Sequence, residues 1–421
     1  MFQPELESLD REALARLQLE RMRATLARCR RNAAWRRRLG DARPDDVKRA
    51  EDWARLPFLT KGELRDAYPY GLACGEDYRR VHMSCGTTGN PILNPYTAAD
   101  VAQWGEVMAR CYVAAGVTAD DVIQITPSFG LFTGGFGFHY GAERLGAMAV
   151  PVGAGRTSLQ LRLMRDLKAT VLTAIATYPL RLIEVAREEK FDLATLRLRV
   201  GIFGSEMWSD ELRARIDREL NLTSYDIIGM TETGGPGLGI ECGRRAGIHV
   251  WEDHYLVEIV EPRTGAPVDD GTEGELVVST LTREGLPLVR YRTHDLTRVV
   301  SRARCDCGRT ALRVDRLRGR TDDMVIFKGV NFYPRQLETL LLRHAGLGHE
   351  YQIVLDADGG GERLTIVAEV QPGCDPSVAA RIKRELHDLL SLSPEIRLCP
   401  AGTLERAPGK TVRVVDRRPR A

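Results

Sequence analysis

The spacing of apolar residues predicts a helix near the N-terminus and, from about residue 100 to residue 230, helices and short buried strands in turn. Residues 10–33 have apolar side chains at spacings of three and four, which predicts a helix with Asp10 as its N-cap. From about residue 100, amphipathic helices such as Ser158–Asp166 and Ser209–Glu219 separate short apolar strands. This alternation predicts a mainly parallel sheet covered by helices. The predicted strands are Val122–Thr126, Ala147–Val152, Thr170–Ala174, Arg199–Phe203 and Ser224–Ile228.

The pattern changes after residue 250, where Tyr255–Val260, Glu275–Thr280 and Asp295–Val300 resemble successive strands joined by turns. They predict a mostly antiparallel, barrel-like part. A small α+β pattern begins near residue 321. We therefore predict an α/β protein with a large N-terminal domain, residues 1–320, and a small α+β C-terminal domain, residues 321–421. The C-terminal elements are predicted at Met324–Phe327, Pro334–His344, Tyr351–Leu355, Leu364–Val370 and Ser377–Leu390.

Composition and charge exclude several classes of protein. The 421 residues include 60 Lys and Arg against 58 Asp and Glu, and 43% of them are apolar. This balance argues against a disordered chain and against a dedicated nucleic-acid binder. No stretch approaches 18 consecutive apolar residues, and the N-terminus does not read as a signal peptide. With an odd number of cysteines, nine, we expect a cytoplasmic protein with reduced thiols and no membrane partner.

A loop rich in glycine and hydroxyl groups at residues 84–91 is the first candidate for chemistry. Gly86 and Gly89 let the backbone approach a ligand closely, and Ser84, Thr87 and Thr88 carry hydroxyl groups that can hold phosphate oxygens. The spacing is not that of a Walker A motif. A plain polar turn at a strand end is the alternative.

Carboxylates follow two predicted strands. Thr231 and Glu232 come directly after the strand that ends at Gly229, where a carboxylate suits Mg²⁺ shared with phosphates. The alternative is a Thr-Glu pair that opens a helix. Asp295 lies at a strand start, where it can accept hydrogen bonds from both ribose hydroxyls or serve only as a structural turn. Two further motifs, Gly319-Arg-Thr-Asp-Asp323 and Pro408-Gly-Lys410, carry little information alone.

Four residues with soft donor atoms form a candidate metal site. Cys305 and Cys307 lie in one tight turn, and Cys242 and His249 occur earlier with six residues between them. Three thiolates and an imidazole make a structural Cys₃His zinc site. The alternative is four unlinked side chains in a reduced protein.

The order and spacing of these motifs resemble the adenylate-forming superfamily of acyl-CoA synthetases and carrier-loading adenylation domains. The chain is most similar to the phenylacetate–CoA ligase family, and the resemblance covers nearly its whole length. It includes the early segment Leu-Pro-Phe-Leu-Thr-Lys. The most specific segments are residues 130–146 (GLFTGGFGFHYGAERLG), 249–254 (HVWEDH) and 319–331 (GRTDDMVIFKGVN).

This resemblance implies two half-reactions. A carboxylate attacks the α-phosphate of ATP to give an acyl-adenylate and pyrophosphate, and a thiol, usually that of coenzyme A, then displaces AMP. The loop 84–89 is implied to hold the β- and γ-phosphates, with Thr231 and Glu232 contacting the α-phosphate and Mg²⁺. The nucleoside is implied to contact Gly204, Ser205, Glu206, Asp226, Ile228, Asp295 and Arg320.

The resemblance also implies a moving C-terminal domain. Lys410 is implied to reach the carboxylate and α-phosphate oxygens, where a cation offsets the charge that builds up in the transition state. Asp322 is implied to be the hinge about which this domain swings between the two steps. Gly329 and Asn331 then line the path of the pantetheine arm.

The acyl pocket is implied to lie beside residues 128–135 and 234–236. Phe129 and Phe132 suit an aromatic acid, although plain core packing is the alternative for both. The expected partners are an aromatic carboxylic acid and coenzyme A or an acyl carrier protein, in a homodimer. The predicted pocket residues are Phe129, Phe132, Thr133, Gly134, Gly135, Gly234, Gly235 and Pro236.

Two positions depart from the family pattern. Asn90 stands where the phosphate loop usually has Lys, and Ile228 stands where many relatives have Tyr. Neither change removes a group on which the chemistry depends. Besides an aryl-acid–CoA ligase, the sequence leaves open a ligase that loads a carrier protein and a catalytically silent nucleotide-binding protein.

Overall fold

The computed structural model describes residues 1–84, 90–323, 325–328, 330–344, 346–358, 361–390, 392–405 and 413–418. Its α-helices are α1 Pro4–Glu7, α2 Arg11–Cys29, α3 Ala33–Leu39, α4 Ala50–Trp53, α5 Lys61–Asp66, α6 Ala98–Ala114, α7 Gly134–Leu145, α8 Thr157–Asp166, α9 Tyr178–Glu188, α10 Asp210–Leu220, α11 Pro334–Leu341 and α12 Val378–Leu390. Its strands are β1 Arg80–Met83, β2 Leu93–Tyr96, β3 Val122–Ile125, β4 Met148–Val150, β5 Val171–Ile175, β6 Val200–Gly204, β7 Thr223–Met230, β8 Gly235–Glu241, β9 Ile248–Val250, β10 Tyr255–Val260, β11 Gly274–Thr280, β12 Tyr291–Thr297, β13 Val299–Ser301, β14 Arg313–Val314, β15 Gly319–Arg320, β16 Val325–Phe327, β17 Val330–Phe332, β18 Leu347–Asp358, β19 Gly361–Val370, β20 Glu395–Pro400 and β21 Val414–Asp416.

The chain forms two compact units. The first comprises residues 1–205 and 219–317, and the second comprises residues 206–218 and 318–421. Among the described helices, none combines the length and hydropathy that a membrane crossing requires.

The N-terminal helix begins as predicted and ends early. The Asp10 carboxylate accepts a hydrogen bond from the backbone N–H of Ala13 at 2.7 Å, which confirms the N-cap. The predicted helix to residue 33 is wrong, because α2 ends at Cys29. Asn32 then caps α3 by accepting from the N–H groups of Ala34 and Trp35, so the basic run 36–38 lies in the last turn of a second helix.

The main sheet of the first unit is mixed rather than mainly parallel throughout. Strands β4, β3, β5, β6 and β7 are parallel neighbours, as the sequence predicts. Beyond β7 the sheet continues through the antiparallel strands β8, β9, β14 and β13. The sequence did not predict this half, because residues 235–241 are rich in glycine and lack a clear strand period.

A separate antiparallel sheet contains β10, β11 and β12, which confirms the change of pattern after residue 250. The predicted strand Asp295–Val300 is wrong in its bounds. Its residues divide between β12, which ends at Thr297, and β13, which begins at Val299 and belongs to the main sheet.

The second unit has an α+β core. Strands β18 and β19 form an antiparallel hairpin, β20 runs parallel to β19, and β21 runs parallel to β18. Helices α11 and α12 contribute Leu337 and Ile382 to the same buried cluster as Ile353 and Ile366 of the sheet. The small C-terminal α+β pattern is therefore present as predicted.

Candidate active site

Four predicted nucleoside-binding residues, Gly204, Ser205, Asp226 and Ile228, lie in the neighbouring parallel strands β6 and β7 or directly after them. Gly204 ends β6 and pairs with Ile227 of the neighbouring strand β7, which also contains Asp226 and Ile228. A Cβ atom on Gly204 would lie 2.3 Å from the Ile227 oxygen, so only glycine fits there. Ligands of open α/β sheets bind at the carboxyl ends of parallel strands, which is where Gly204 and Ser205 lie.

Two of these residues carry features that the sequence did not predict. Ser205 adopts a left-handed φ of 68°, a conformation that non-glycine residues adopt rarely and mostly at functional sites. The buried Asp226 carboxylate accepts a hydrogen bond from Arg316 Nε at 2.8 Å. Glu206, the third residue of the predicted adenine segment, belongs to the second unit.

Thr231 and Glu232 lie in the tight turn that joins β7 to β8. They do not open a helix, so that alternative is wrong. The amide of Asn94 in β2 fixes the turn by donating to the backbone oxygens of Thr231 and Glu232, to the latter at 3.3 Å. Arg283 Nη2 in turn donates to Asn94 Oδ1 at 2.9 Å. A buried amide with both of its polar ends satisfied makes the turn rigid.

Glu232 is 5% exposed, and its side chain faces a lysine from the N-terminal part of the chain. Lys61 Nζ lies 3.5 Å from Glu232 Oε1. Lys61 begins α5, which Thr60 caps through a reciprocal pair of hydrogen bonds with Glu63. The segment Leu-Pro-Phe-Leu-Thr-Lys contributes to the family resemblance, but no pattern along the chain predicts the contact of Lys61 with Glu232, because it joins positions 171 residues apart.

Asp295, predicted to bind the ribose, lies in β12 with 8% of its surface exposed. Its backbone N–H donates to Thr293 Oγ1 at 3.0 Å. The preceding residue, His294, has a left-handed φ of 66°, and the pairing of β12 with β11 is irregular here. Bulges of this kind bend a strand and re-aim its side chains, and this one lies at Asp295.

The predicted acyl-pocket loop begins at the topological switch point of the sheet. Strand β3 has β4 on one side and β5 on the other, so the chain reverses its direction of winding there. Phe129 follows β3 and meets Phe136 edge to face at a centroid distance of 5.2 Å. Phe132 is 38% exposed. Phe129 therefore belongs to an aromatic cluster, whereas Phe132 is not packed into the core.

Two of the predicted pocket residues, Gly235 and Pro236, contact a tryptophan that the sequence did not single out. A Cβ atom on Gly235 would lie 2.4 Å from Trp104 Cζ2 and 3.0 Å from Thr133 Cβ. Trp104 Nε1 donates to the Pro236 oxygen at 2.9 Å. Glycine at 235 thus leaves the space that the indole ring occupies. Gly135 contacts the other end of the loop, where an added Cβ would lie 2.8 Å from the Ser128 oxygen. Gly134 packs on Pro127, and Gly234 lies beside Arg283.

A buried histidine connects this loop to the hairpin that carries the phosphate loop. His82 Nδ1 lies 3.2 Å from the Leu131 oxygen, and the N–H of Met83 donates to the same oxygen at 2.9 Å. The imidazole packs against Tyr96 and Trp104. Burial lowers the pKa of His82 to about 4, so the ring is neutral at pH 7.

The predicted phosphate loop comes between β1 and β2 in the sequence, and these two strands pair in antiparallel fashion. Ser84 and Ile92 close it, with the Ile92 N–H donating to Ser84 Oγ at 3.1 Å and the Ser84 N–H donating to the Ile92 oxygen at 3.0 Å. Gly86, Thr87, Thr88 and Gly89 lie outside the described residues.

The predicted residues of the second unit form their own contacts. Arg320 and Asp322 make a two-pronged ion pair, with nitrogen–oxygen distances of 2.9 and 3.0 Å. The backbone of Asn331 pairs with Ile326 in the β16–β17 hairpin. Gly329 and Lys410 lie outside the described residues.

The four predicted zinc ligands lie together. Their donor atoms are all within 4.8 Å of one another, although they come from β9 and from two separate loops. Cys242 Sγ is 3.9 Å from Cys305 Sγ, and Cys307 Sγ is 3.6 Å from His249 Nε2. Contact with Cys242 lowers the pKa of the Cys307 thiol, and the same contact raises that of Cys242. The four side chains therefore meet in the folded chain, although they are far apart in sequence.

This chain is similar to known proteins along nearly its whole length. The family model for the AMP-binding enzyme matches residues 71–282, and the model for the AMP-binding enzyme C-terminal domain matches residues 329–418. Phenylacetate-coenzyme A ligase of Aromatoleum evansii is 39% identical over 99% of this chain and 97% of its own length. The ligase of the same name from Pseudomonas putida is 38% identical over 98% and 96%.

A solved structure has a similar fold. 2-Hydroxyisobutyryl-CoA ligase, in the postadenylation state in complex with R3-HIB-AMP, has a TM-score of 0.90 to this chain. The two sequences are 25% identical, and the match covers 98% of this chain and 91% of the ligase.

Proposed function

Because this chain belongs to the phenylacetate–CoA ligase family of AMP-forming enzymes, we propose that its substrate is an aromatic carboxylic acid. The enzyme converts the acid to an acyl-adenylate with release of pyrophosphate, and it then transfers the acyl group to the thiol of coenzyme A. The observation that carries this conclusion is identity of 38–39% with phenylacetate-coenzyme A ligases over nearly the full length of both chains.

We propose that the residues at the sheet edge perform the adenylation. Thr231 and Glu232, held by Asn94, face the α-phosphate, and Asp295 binds the ribose hydroxyls. Two anions must approach each other in this step, so we propose that Lys410 supplies the positive charge that offsets their repulsion. Asp322 is proposed as the hinge, and its position five residues after the end of the first unit at Leu317 supports that role.

The Glu232 carboxylate fits Mg²⁺. Carboxylate oxygen is the ligand type that Mg²⁺ prefers, and the ion usually keeps several waters and binds through one or two carboxylates and substrate phosphates. Glu232 is buried and is paired with Lys61 at 3.5 Å, so its charged form has a partner nearby. When bound, Mg²⁺ neutralises charge on the phosphates.

The exchange of pyrophosphate into ATP with a panel of aromatic acids tests this function. We expect exchange with at least one phenylacetate- or benzoate-like acid and none without acid. Product formation with coenzyme A or with a phosphopantetheinylated carrier protein as sole thiol then separates the CoA ligase from the carrier-loading alternative. No exchange with any acid in a broad panel would support a silent nucleotide-binding protein and overturn the proposed activity.

We also propose that Cys242, His249, Cys305 and Cys307 bind a structural zinc ion. A tetrahedral ion with Zn–S of about 2.3 Å and Zn–N of about 2.0–2.1 Å holds two sulfurs about 3.8 Å apart and a sulfur and a nitrogen about 3.6 Å apart. The measured separations are 3.9 and 3.6 Å. The ion would tie the β8–β9 connection to the loop before β14.

Elemental analysis of the purified enzyme tests the zinc site, and we expect about one zinc per chain. The Cys307→Ala variant should lose the metal, whereas Cys374→Ala, a thiol in the second unit, should keep it. A wild-type protein that contains no zinc and takes up none from a zinc-buffered solution would overturn this proposal.

The remaining proposals concern assembly and location. We propose a homodimer on the family resemblance, and sedimentation equilibrium tests it. We propose a cytoplasmic location, which the eight described cysteines support because all of them are free.

A further inference from the structure

We propose that Arg309 and Glu7 form the outer shell of the zinc site, in which the N-terminal segment, residues 1–11, holds a guanidinium group against the sulfur of Cys307. This inference rests on the proposed zinc site and does not depend on the proposed ligase activity. It gives a segment that precedes both matched family segments a role in retaining the metal.

The proposed zinc site carries a net negative charge when it is loaded. Cysteine binds zinc as the thiolate, so three thiolates and a neutral imidazole around Zn²⁺ leave one negative charge in excess. Cys242, His249 and Cys305 are buried, so water solvates this charge poorly. A buried charge is costly unless an opposite charge or a hydrogen-bond donor lies beside it. The site therefore needs a cation close to one of its sulfurs.

Arg309 provides a cation at this position. Its Nη1 lies 3.7 Å from Cys307 Sγ, a distance at which an N–H group donates to sulfur. The Arg309 backbone oxygen accepts from the Cys305 N–H at 2.8 Å, so the tight turn that contains both cysteines also places the guanidinium. Outer-shell donors of this kind orient the ligands of a metal and tune its affinity.

Glu7 holds the guanidinium in place. Its Oε2 accepts from Arg309 Nε at 2.6 Å, and its side chain is fully buried. Its Oε1 accepts from the backbone N–H groups of Phe2 and Gln3 at 2.7 Å each. Both carboxylate oxygens therefore have donors, and the orientation of the carboxylate is fixed. The pair leaves Arg309 Nη1 directed at Cys307.

The N-terminal segment is also attached to the loop before β14 through its backbone. The Thr310 N–H donates to the Glu7 oxygen at 3.1 Å, and Thr310 Oγ1 donates to the Leu9 oxygen at 2.5 Å. Arg11 adds a two-pronged ion pair with Glu252, with nitrogen–oxygen distances of 2.7 and 2.9 Å. Glu7 is therefore a fixed partner of the guanidinium, because the chain on both sides of it is held.

A simple anchor for the N-terminus makes a different prediction. If the ion pair of Arg309 with Glu7 only attaches the N-terminal segment, its loss should lower the stability of the protein and leave the bond between Cys307 and the metal unchanged. If Arg309 donates to the metal-bound sulfur, its loss should also weaken zinc binding and change the electronic properties of that sulfur.

Competition for zinc between the full-length protein and a chromogenic chelator measures the first of these effects. For Arg309→Met we expect about 10- to 100-fold weaker zinc binding, the usual result of losing an outer-shell partner. Arg302→Met is the matched control, because it removes a guanidinium of the same loop whose partner, Asp270, lies at the surface. This variant should bind zinc as tightly as the wild type.

A double variant avoids the uncompensated charge that Arg309→Met leaves on the buried Glu7. In Glu7→Gln/Arg309→Met the glutamine keeps an oxygen for the N–H groups of Phe2 and Gln3 and carries no charge. We expect this variant to fold and still to bind zinc about 10- to 100-fold more weakly. A thermal melt of each variant establishes that the compared proteins are folded.

Replacement of zinc by Co²⁺ provides a readout that an anchor alone would not change. A sulfur that loses a hydrogen-bond donor gives up its electrons more readily, so the thiolate-to-cobalt charge-transfer band should move to lower energy in both Arg309 variants. Arg302→Met should leave the band where it is in the wild type.

Unchanged zinc affinity in both Arg309 variants, or an equal loss in Arg302→Met, would overturn the inference while leaving the zinc site intact. Weaker zinc binding with an unchanged cobalt spectrum would also overturn it, and would assign the ion pair to anchoring alone. Wild-type protein that binds no zinc would instead overturn the zinc site, and this inference with it. The exchange of pyrophosphate into ATP tests the ligase activity separately.

Discussion

Replacing Gly235 by alanine is expected to destabilise the first unit and to disturb the predicted acyl pocket. Gly235 has a φ of 95°, which L side chains rarely adopt. An added Cβ would lie 2.4 Å from Trp104 Cζ2, 2.9 Å from Trp104 Cε2 and 3.0 Å from Thr133 Cβ. Because the indole is 2% exposed and donates to the Pro236 oxygen, it cannot move aside without breaking that hydrogen bond.

Two costs add up in this variant. Backbone strain at a rarely populated φ costs about 1–3 kcal/mol. Forcing an extra methyl group into a packed core costs about another 1–3 kcal/mol. We therefore expect the free energy of unfolding to fall by about 2–6 kcal/mol, a large part of the stability of an ordinary domain, which is about 5–15 kcal/mol.

The difference in the free energy of unfolding between Gly235→Ala and Gly116→Ala, both measured in urea, isolates the cost of the packing clash. Gly116 also has a positive φ, 79°, but an added Cβ there would meet nothing within 4 Å. Its variant should lose only the strain energy, so the two should differ by about 1–3 kcal/mol. The KM for the acid should rise in Gly235→Ala alone. Equal destabilisation of both variants would refute the clash with Trp104.

Three further predictions concern the site and its support. Asn94→Leu leaves the backbone oxygens of Thr231 and Glu232 without their amide donor. We expect the free energy of unfolding in urea to fall by about 1–3 kcal/mol and pyrophosphate exchange to slow by at least about tenfold. An unchanged exchange rate would contradict the proposed role of the turn. Lys410→Ala should abolish adenylation and spare thiolysis of supplied acyl-adenylate, and equal loss of both half-reactions would count against its role. The folded-state pKa of His82, about 4, lies below the value of about 6.5 in the unfolded chain, so the unfolded state binds more protons between these values and stability falls as the pH drops through them. Between pH 7 and pH 5, protonation of His82 in the unfolded chain should lower the stability of the wild type by about 2 kcal/mol, and His82→Phe should not show this decrease. An identical pH profile for wild type and variant would rule this out.

Local pattern was sufficient to predict the parallel half of the main sheet. Apolar strands of five or so residues between amphipathic helices carry their own signal, and the observed strands at Val171–Ile175 and Val200–Gly204 lie within one residue of the predicted bounds. The antiparallel half was missed. Its strand Gly235–Glu241 contains three glycines, and the chain takes positive φ values at Gly235 and Gly237, so close packing determines this strand rather than an alternation of side chains.

The support of the site was harder to predict than the site residues themselves. Thr231, Glu232 and Asp295 could be predicted as site residues because each belongs to a short motif. Asn94 and Arg283 were not, because the contact of Asn94 with the turn spans 137 residues and its contact with Arg283 spans 189. Such contacts depend on the completed fold, and no periodicity along the chain records them. The proposed zinc ligands form an intermediate case, since two of them form a close pair in sequence while the other two meet that pair only after folding.

A buried ion pair supports the turn that contains Glu232, through Asn94. Arg283 and Asp100 are 1% and 0% exposed and lie 3.7 Å apart. The Asp100 carboxylate also accepts hydrogen bonds from the N–H groups of Glu284 and Gly285 at 2.8 Å each. Arg283 in turn donates to Asn94 Oδ1, the amide that holds the turn.

Removing one member of a buried pair of this kind usually costs about 3–5 kcal/mol, because the other charge stays buried without a partner. The pair therefore resists displacement when anionic ligands approach. A carboxylate that must stay in place beside phosphates gains from such support, because a group that is already oriented needs no reorganisation during the reaction.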